Sequence, residues 1–96
     1  MRYEERARKE LIARIRRRLA HVQDRRWFFA AIADQVSSRR AELGLSQHDL
    51  ASLCGTTQSA IARLESGGRP PRIDTLLKIA DALDCELSVE LKPTER

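Results

Sequence analysis

Apolar side chains recur every three or four residues through the first part of the chain, which is the spacing of amphipathic helices. A first stripe comprises Tyr3, Ala7, Leu11, Ile15, Leu19 and Val22, and a second comprises Phe29, Ile32 and Val36. Neither Gly nor Pro interrupts residues 1–43, so the pattern leaves open one long helix or two helices with a kink near residues 21–26. We favour two helices, the second capped by Asp24.

Turn residues become frequent after Gly44, which is a natural helix stop. Two short helices are predicted next, over residues 47–53 and 58–65, and Thr57 is a good N-cap for the second. The Gly- and Pro-rich segment 67–71 must be a loop.

A last helix is predicted over residues 74–83. Asp84 follows at the position where a glycine in the left-handed conformation is usual, and Asp tolerates that conformation better than most residues. Residues 86–91 then alternate polar and apolar side chains, which indicates a strand before Pro93.

A strand over residues 86–91 has no partner within the sequence. Because unpaired backbone groups are costly when they are buried, we favour pairing with the same strand of a second copy or with another protein over a frayed tail. Leu87, Val89 and Leu91 would then form the dimerisation face.

The predicted fold is all-α. It consists of a five-helix-type domain over residues 27–84, a basic N-terminal helical extension over 1–26, and a C-terminal strand and tail over 85–96. The predicted core comprises Phe29, Ile32, Val36, Leu50, Leu53, Ile61, Leu64, Leu76, Ile79 and Leu83.

The two short helices have the residues that a helix-turn-helix unit needs. The crossing of the helices requires a small residue, which Ala51 provides, and the turn requires a residue that accepts positive φ, which Gly55 provides. Ile61 and Leu64 would bury one face of the second helix, which leaves Gln58, Ser59, Ala62 and Arg63 facing outward. Gln and Arg side chains on such a helix can hydrogen-bond to adenine and guanine in a major groove.

These motifs resemble the Cro/repressor-type (XRE) helix-turn-helix family over roughly residues 30–83. The matching positions are Gly44-Leu45-Ser46-Gln47, Asp49-Leu50-Ala51, Gly55-Thr56-Thr57-Gln58-Ser59, Ile61, Arg63-Leu64-Glu65-Ser66-Gly67, Pro71 and Thr75 to Leu83. The tail from Cys85 to Leu91 is similar to the C-terminal strand of HigA/HipB-type antitoxins, in which two protomers pair their strands.

The resemblance implies a sequence-specific repressor that binds a palindromic operator in double-stranded DNA as a homodimer. It assigns base reading to Gln58, Ser59 and Arg63. Gln47 would contact phosphate and brace Gln58. Arg40 and Glu65 would form an internal ion pair. The other positions expected to contact or brace the DNA backbone are Thr57, Arg39, Arg40 and Arg69.

The charge distribution indicates a polyanionic partner, and the composition argues against a membrane-spanning or secreted protein. Residues 1–27 hold ten basic against four acidic residues, a net charge of +6, whereas residues 28–96 hold eight against ten, a net charge of −2. A basic arm on a nearly neutral domain suits a polyanion, although a solvated Arg-rich helix face explains the charge equally well. With no apolar run long enough for a membrane span and no secretory signal, we expect a cytoplasmic protein.

Other function classes have less support. Cys54 and Cys85 fit no metal spacing and are expected to be reduced thiols in small apolar gaps; His21 and His48 come with no nucleophile or metal set. We therefore predict no enzyme activity, no metal and no cofactor. One alternative is an antitoxin that binds a protein toxin and represses its own operon. Another is RNA binding through the Arg-rich residues 14–18.

Overall fold

The computed structural model describes residues 2–20 and 25–93, and these residues form five helices. They are α1 (Tyr3–Ala20), α2 (Arg26–Glu42), α3 (Gln47–Cys54), α4 (Gln58–Glu65) and α5 (Ile73–Ala82). The all-α prediction is confirmed. No helix in the described part of the chain is long and apolar enough to cross a membrane.

The N-terminal stretch contains two helices, as favoured from the sequence, because α1 ends at Ala20 and α2 begins at Arg26. Arg25 holds the N-cap position of α2 and makes no side-chain cap bond. Asp24, the predicted cap, lies outside the described residues, as do His21 and Val22 of the sequence predictions.

Capping residues mark the starts of α3 and α4 and the end of α5. Ser46 and Asp49 form a reciprocal capping box at the start of α3, with hydrogen bonds of 2.9 and 2.8 Å between side chain and backbone. The Thr57 hydroxyl accepts a hydrogen bond from the Ala60 amide at 3.1 Å and caps α4. Asp84, after α5, has a φ of 55°, which confirms the predicted left-handed residue.

The core lies where α3 packs against α4 and α5 and where α2 packs against α4. Its buried cluster comprises Val36, Leu50, Ala51, Ile61, Ile79 and Leu83. Leu76 and Ala33 are also buried; the sequence analysis predicted the first and missed the second. Phe29, Ile32 and Leu64, predicted as core residues, are only half-buried.

The prediction that Leu53 belongs to the core is wrong, since its side chain is 62% exposed. The buried face of α3 carries Leu50 and Ala51, and at 100° per residue Cys54 continues this face while Leu53 points away from it. Cys54 is accordingly half-buried against the core. Cys85 is exposed rather than enclosed in an apolar gap, and both thiols are free.

The C-terminal strand prediction is not supported. Residues 85–93 have no regular secondary structure, and the described residues contain no strand. A strand needs a hydrogen-bonded neighbour, and the residues that the structure describes offer none. Leu87 is half-buried, while Val89 and Leu91 are 76% and 96% exposed.

Candidate nucleic-acid interface

Helix α4 is anchored on one face and open on the other. Ile61 is only 1% exposed at the centre of the helix. Gln58, Ser59 and Arg63, the three predicted base-reading residues, are all exposed. The structure therefore brings these three polar side chains to the solvent side of one short, capped helix.

The turn between α3 and α4 determines how the two helices cross. Gly55 has a φ of +67°, a conformation that side chains with a Cβ rarely adopt, and the Thr56 amide donates to the Ala51 carbonyl at 2.9 Å. Ala51 itself is 2% exposed, so no larger side chain fits there without moving a helix. Both residues have the positions that the sequence analysis gave them.

A three-residue polar network joins α2, α3 and the end of α4. Arg40 donates from Nε to Glu65 Oε2 at 2.8 Å and from Nη2 to Oε1 at 2.9 Å, which is a bidentate ion pair. A third donor of Arg40, Nη1, binds the Leu45 carbonyl at 2.8 Å. Gln47 donates from Nε2 to Glu65 Oε1 at 3.1 Å.

The network is well protected, since the Arg40 and Glu65 side chains are 18% and 7% exposed. Burial alone would raise the pKa of Glu65, but the hydrogen bonds from Arg40 and Gln47 outweigh it and leave the pKa below its ordinary value. Glu65 is therefore held as a carboxylate that fixes the ends of three helices relative to one another.

Gln47 was expected to brace Gln58, but the structure gives it a different partner, Glu65. A carboxylate accepts a stronger hydrogen bond than a neutral amide does, which accounts for the difference. The Gln47 amide nitrogen has two N–H groups, and Glu65 occupies only one of them. The second remains able to donate to a phosphate.

Arg39 lies apart from the other predicted DNA-backbone residues. Its Nε donates to the Leu83 carbonyl at 3.0 Å and its Nη1 to Glu42 at 3.2 Å, so the side chain joins α2 to the end of α5. Arg39 precedes Arg40 by one residue, and successive helical side chains diverge by about 100°. Arg39 was predicted to contact or brace the DNA backbone, whereas these two hydrogen bonds of its side chain are internal.

The loop that follows α4 is held against α2. Gly67 has a φ of +73°, and a Cβ built on it would lie 2.8 Å from Ala30 Cα, so only glycine fits this contact. Arg69, a predicted backbone contact, is exposed in this loop. Sequence reasoning missed the Gly67–Ala30 contact and the Leu45 carbonyl as an Arg40 acceptor, because neither leaves a signal in the residue pattern.

Comparison with known proteins identifies the family. The helix-turn-helix model HTH_3 matches residues 36–89, which include α3, α4 and α5. An uncharacterised HTH-type transcriptional regulator of Haemophilus influenzae is 39% identical over 59 residues, which are 62% of this chain and 60% of the relative. The HTH-type regulator y4dL of Sinorhizobium fredii is 36% identical over 56 residues, 58% of this chain and 29% of the relative. The chain thus matches at most 60% of the length of these two relatives.

Solved structures agree with this match. The restriction-modification controller protein C.AhdI from Aeromonas hydrophila superimposes with a TM-score of 0.63 at 33% identity, over 67% of this chain and 93% of its own. An HTH_3 family transcriptional regulator from Vibrio cholerae gives 0.60 at 34% identity, over 64% of this chain and 34% of its own.

The named relatives are transcriptional regulators rather than enzymes, which agrees with the prediction of no enzyme activity. The similarity of the tail to HigA/HipB-type antitoxins and the toxin partner stay predictions. Residues 36–89 match the family model, and they include the capped helix α4, the glycine turn and the core that supports them. The chain belongs to the Cro/repressor-type (XRE) helix-turn-helix family.

Proposed function

We propose that this protein is a sequence-specific transcriptional repressor that binds a palindromic operator as a dimer. The observation that carries the proposal is the face of α4, where three polar side chains are exposed on a helix whose opposite face is buried. A helix held in this way can enter a major groove while its apolar face stays packed on the core. Its site of action is the cytoplasm, where the operator DNA lies.

Base reading is assigned to Gln58, Ser59 and Arg63. Gln58 is the first residue of α4 and pairs with adenine, Arg63 pairs with guanine, and the Ser59 hydroxyl accepts or donates to either. Ala60 and Ala62 are half-buried and carry no polar group. Direct reading of bases therefore depends on three side chains in each half-site.

Contacts with the phosphates of the DNA backbone position helix α4 in the groove. Gln47, at the start of α3, donates its second N–H to phosphate while Glu65 holds the first. Arg69 in the exposed loop and Thr57 at the helix cap supply further contacts in the proposal. Arg40 acts through Glu65, since three nitrogens of its guanidinium already donate to Glu65 and to the Leu45 carbonyl.

The dimer places two copies of α4 in successive major grooves about 34 Å apart. Val89 and Leu91 are exposed on a tail with no strand partner, and the same tail of a second copy supplies one. A chain that ends at Asp84 should sediment as a monomer at concentrations where the full chain is a dimer, and Val89→Pro should weaken the dimer because it removes a backbone donor. A truncated chain that dimerises as tightly as the full chain would exclude the tail.

Selection of bound duplexes from a random DNA library tests the whole proposal. The expected result is an enriched palindrome in which Arg63→Ala relaxes one position in each half-site. Arg6→Ala removes a basic residue from α1, outside the matched family region, and should leave the motif unchanged. Recovery of unenriched DNA by the wild-type protein would refute sequence-specific binding.

A further inference from the structure

Helix α1 exposes an apolar stripe that is not buried by any of the described residues, 2–20 and 25–93. No residue of α1 is buried, and the exposed fractions are 44% for Leu11, 41% for Ile15 and 62% for Leu19. A lone amphipathic helix is marginal in water, and most of its stability in proteins comes from packing of its apolar face. The stripe therefore requires a surface to cover it, and none does so in the described part of the chain.

The stripe is bordered by positive charge. Arg8 and Arg14 lie three residues on either side of Leu11, and Arg18 lies three residues after Ile15, so all three flank the stripe. Helix α1 as a whole contains seven basic and three acidic residues, a net charge of +4. A surface that receives it must be apolar at the centre and acidic at the edge.

A groove of this kind lies on the side of the core that Arg39 faces. It has a volume of about 770 Å³ and is formed by α2, α5 and the tail, with Ile32, Val36 and Leu76 among its apolar lining. Its charged lining residues are Arg39, Glu42, Glu86 and Glu90. Arg39 and Glu42 neutralise each other at 3.2 Å, which leaves the acids of the tail, Glu86 and Glu90, to set the charge of the rim.

We propose that α1 of one copy docks in this groove of a second copy. The part of α2 that lines the groove, from Phe28 to Glu42, is about 21 Å long, and the apolar stripe of α1 from Tyr3 to Leu19 is about 24 Å long. The charges of helix and rim are opposite. Among the described residues the stripe and the groove both remain open, and the proposal assigns the groove to the α1 helix of another copy. This contact goes beyond the proposed DNA reading and does not depend on it.

Other partners for α1 explain less of its surface. Two α1 helices would place like charges side by side. DNA phosphates would attract the Arg side chains but would leave the apolar stripe in water. A membrane-surface helix buries a broad apolar face, whereas this stripe has about one residue per turn, which fits a seam between protein elements.

Charge reversal in trans tests the proposal. One variant carries Arg8→Glu, Arg14→Glu and Arg18→Glu, and the other carries Glu86→Lys and Glu90→Lys. Each variant alone places like charges at the contact, so we expect its dimer dissociation constant, measured by sedimentation, to rise about tenfold. In a 1:1 mixture both contacts of the mixed pair have opposite charges again, and the dimer should recover close to wild-type affinity.

Three outcomes would overturn the inference. The two variants could dimerise as tightly as the wild type, which would mean that α1 does not occupy the groove. The variants could be weakened without recovery on mixing, which would place the contact within one chain or with a different protein. Recovery could also occur equally when Lys9→Glu and Arg17→Glu, on the side of α1 opposite the stripe, replace the stripe-flanking reversals, which would reduce the effect to net charge. Because all three outcomes are read without DNA, they are independent of the operator selection.

Discussion

Helices α4 and α1 both carry Arg on an exposed face, yet they differ in what holds them. Helix α4 has eight residues, too few to be stable alone in water, and its position comes from Ile61 in the core and from the Thr57 cap. Helix α1 has eighteen residues and none of them is buried. The comparison teaches that a polar row becomes a defined reading surface only where the opposite face of its helix is fixed.

The same comparison separates two kinds of contact with DNA. Side chains on a fixed helix can be aligned with base edges, and this gives sequence preference. Basic side chains on a helix without internal anchoring attract phosphates of any sequence. We expect stability and specificity to depend on residues around α4, and sequence-independent affinity to depend on α1.

The largest expected effect comes from removal of the core beneath the reading helix. Leu50 is fully buried, so Leu50→Ala should lower the free energy of unfolding by about 3–5 kcal/mol through lost burial and a cavity. Leu53→Ala, three residues later on the same helix, is the matched control and should cost less than about 1 kcal/mol. Denaturant unfolding measures both, and equal losses would contradict the assigned faces of α3.

The Arg40–Glu65 pair should give the next largest effect. Removal of either partner leaves a part-buried charge without its counterion, so each single Ala variant should be destabilised by about 1–3 kcal/mol. A double-mutant cycle should show strong coupling between the two positions. The exposed pair Arg72–Asp74, with side chains 81% and 61% exposed, is the control and should show no measurable coupling. Additive effects at Arg40 and Glu65 would mean that the pair does not hold the helices.

The pair also predicts a dependence on pH. Because the pKa of Glu65 is below its ordinary value in the folded protein, its contribution to the free energy of unfolding is present above the ordinary Glu pKa and is lost as the pH falls through the folded value. In Glu65→Gln the free energy of unfolding should therefore fall less steeply as the pH is lowered, which denaturant unfolding at a series of pH values measures. An unchanged acid limb in this variant would show that other carboxylates dominate.

The smallest expected effect concerns the basic side of α1 opposite its apolar stripe. Lys9→Ala and Arg17→Ala together should weaken binding to operator and random DNA by the same factor, because phosphates carry no sequence information. Each lost phosphate contact should reduce the salt slope by about one unit. A change in the ratio of operator to random affinity would give α1 a share in sequence reading.

The sequence predicted those features that local chemistry determines. Thr57 as a cap, Gly55 in the turn and Asp84 after the last helix each follow from the backbone preferences of one residue type. The side-chain partners were harder to predict, because Arg39 and Arg40 are adjacent in the sequence but point to different elements. Helix α3 is too short for its pattern of apolar residues to show that Cys54, rather than Leu53, continues the buried face.

The strand predicted over residues 86–91 depends on a hydrogen-bonding neighbour, which the sequence of one chain cannot predict. Alternation of polar and apolar residues describes which strand would form if a neighbour were available, and the described part of the chain provides none. The exposure of α1 has the same origin, since its pattern shows that it needs a partner without identifying that partner. Information about contacts between chains lies outside the pattern of a single chain.

The most direct test of the account is the affinity ratio between the selected operator and random DNA for Gln58→Ala. Asp34→Ala is the control, since Asp34 is also exposed but lies on α2 and does not line the groove. We predict that Gln58→Ala loses about 1–3 kcal/mol on the operator, keeps its affinity for random DNA and relaxes one operator position, while Asp34→Ala keeps the wild-type ratio. An unchanged ratio for Gln58→Ala would contradict the assignment of α4 as the reading helix.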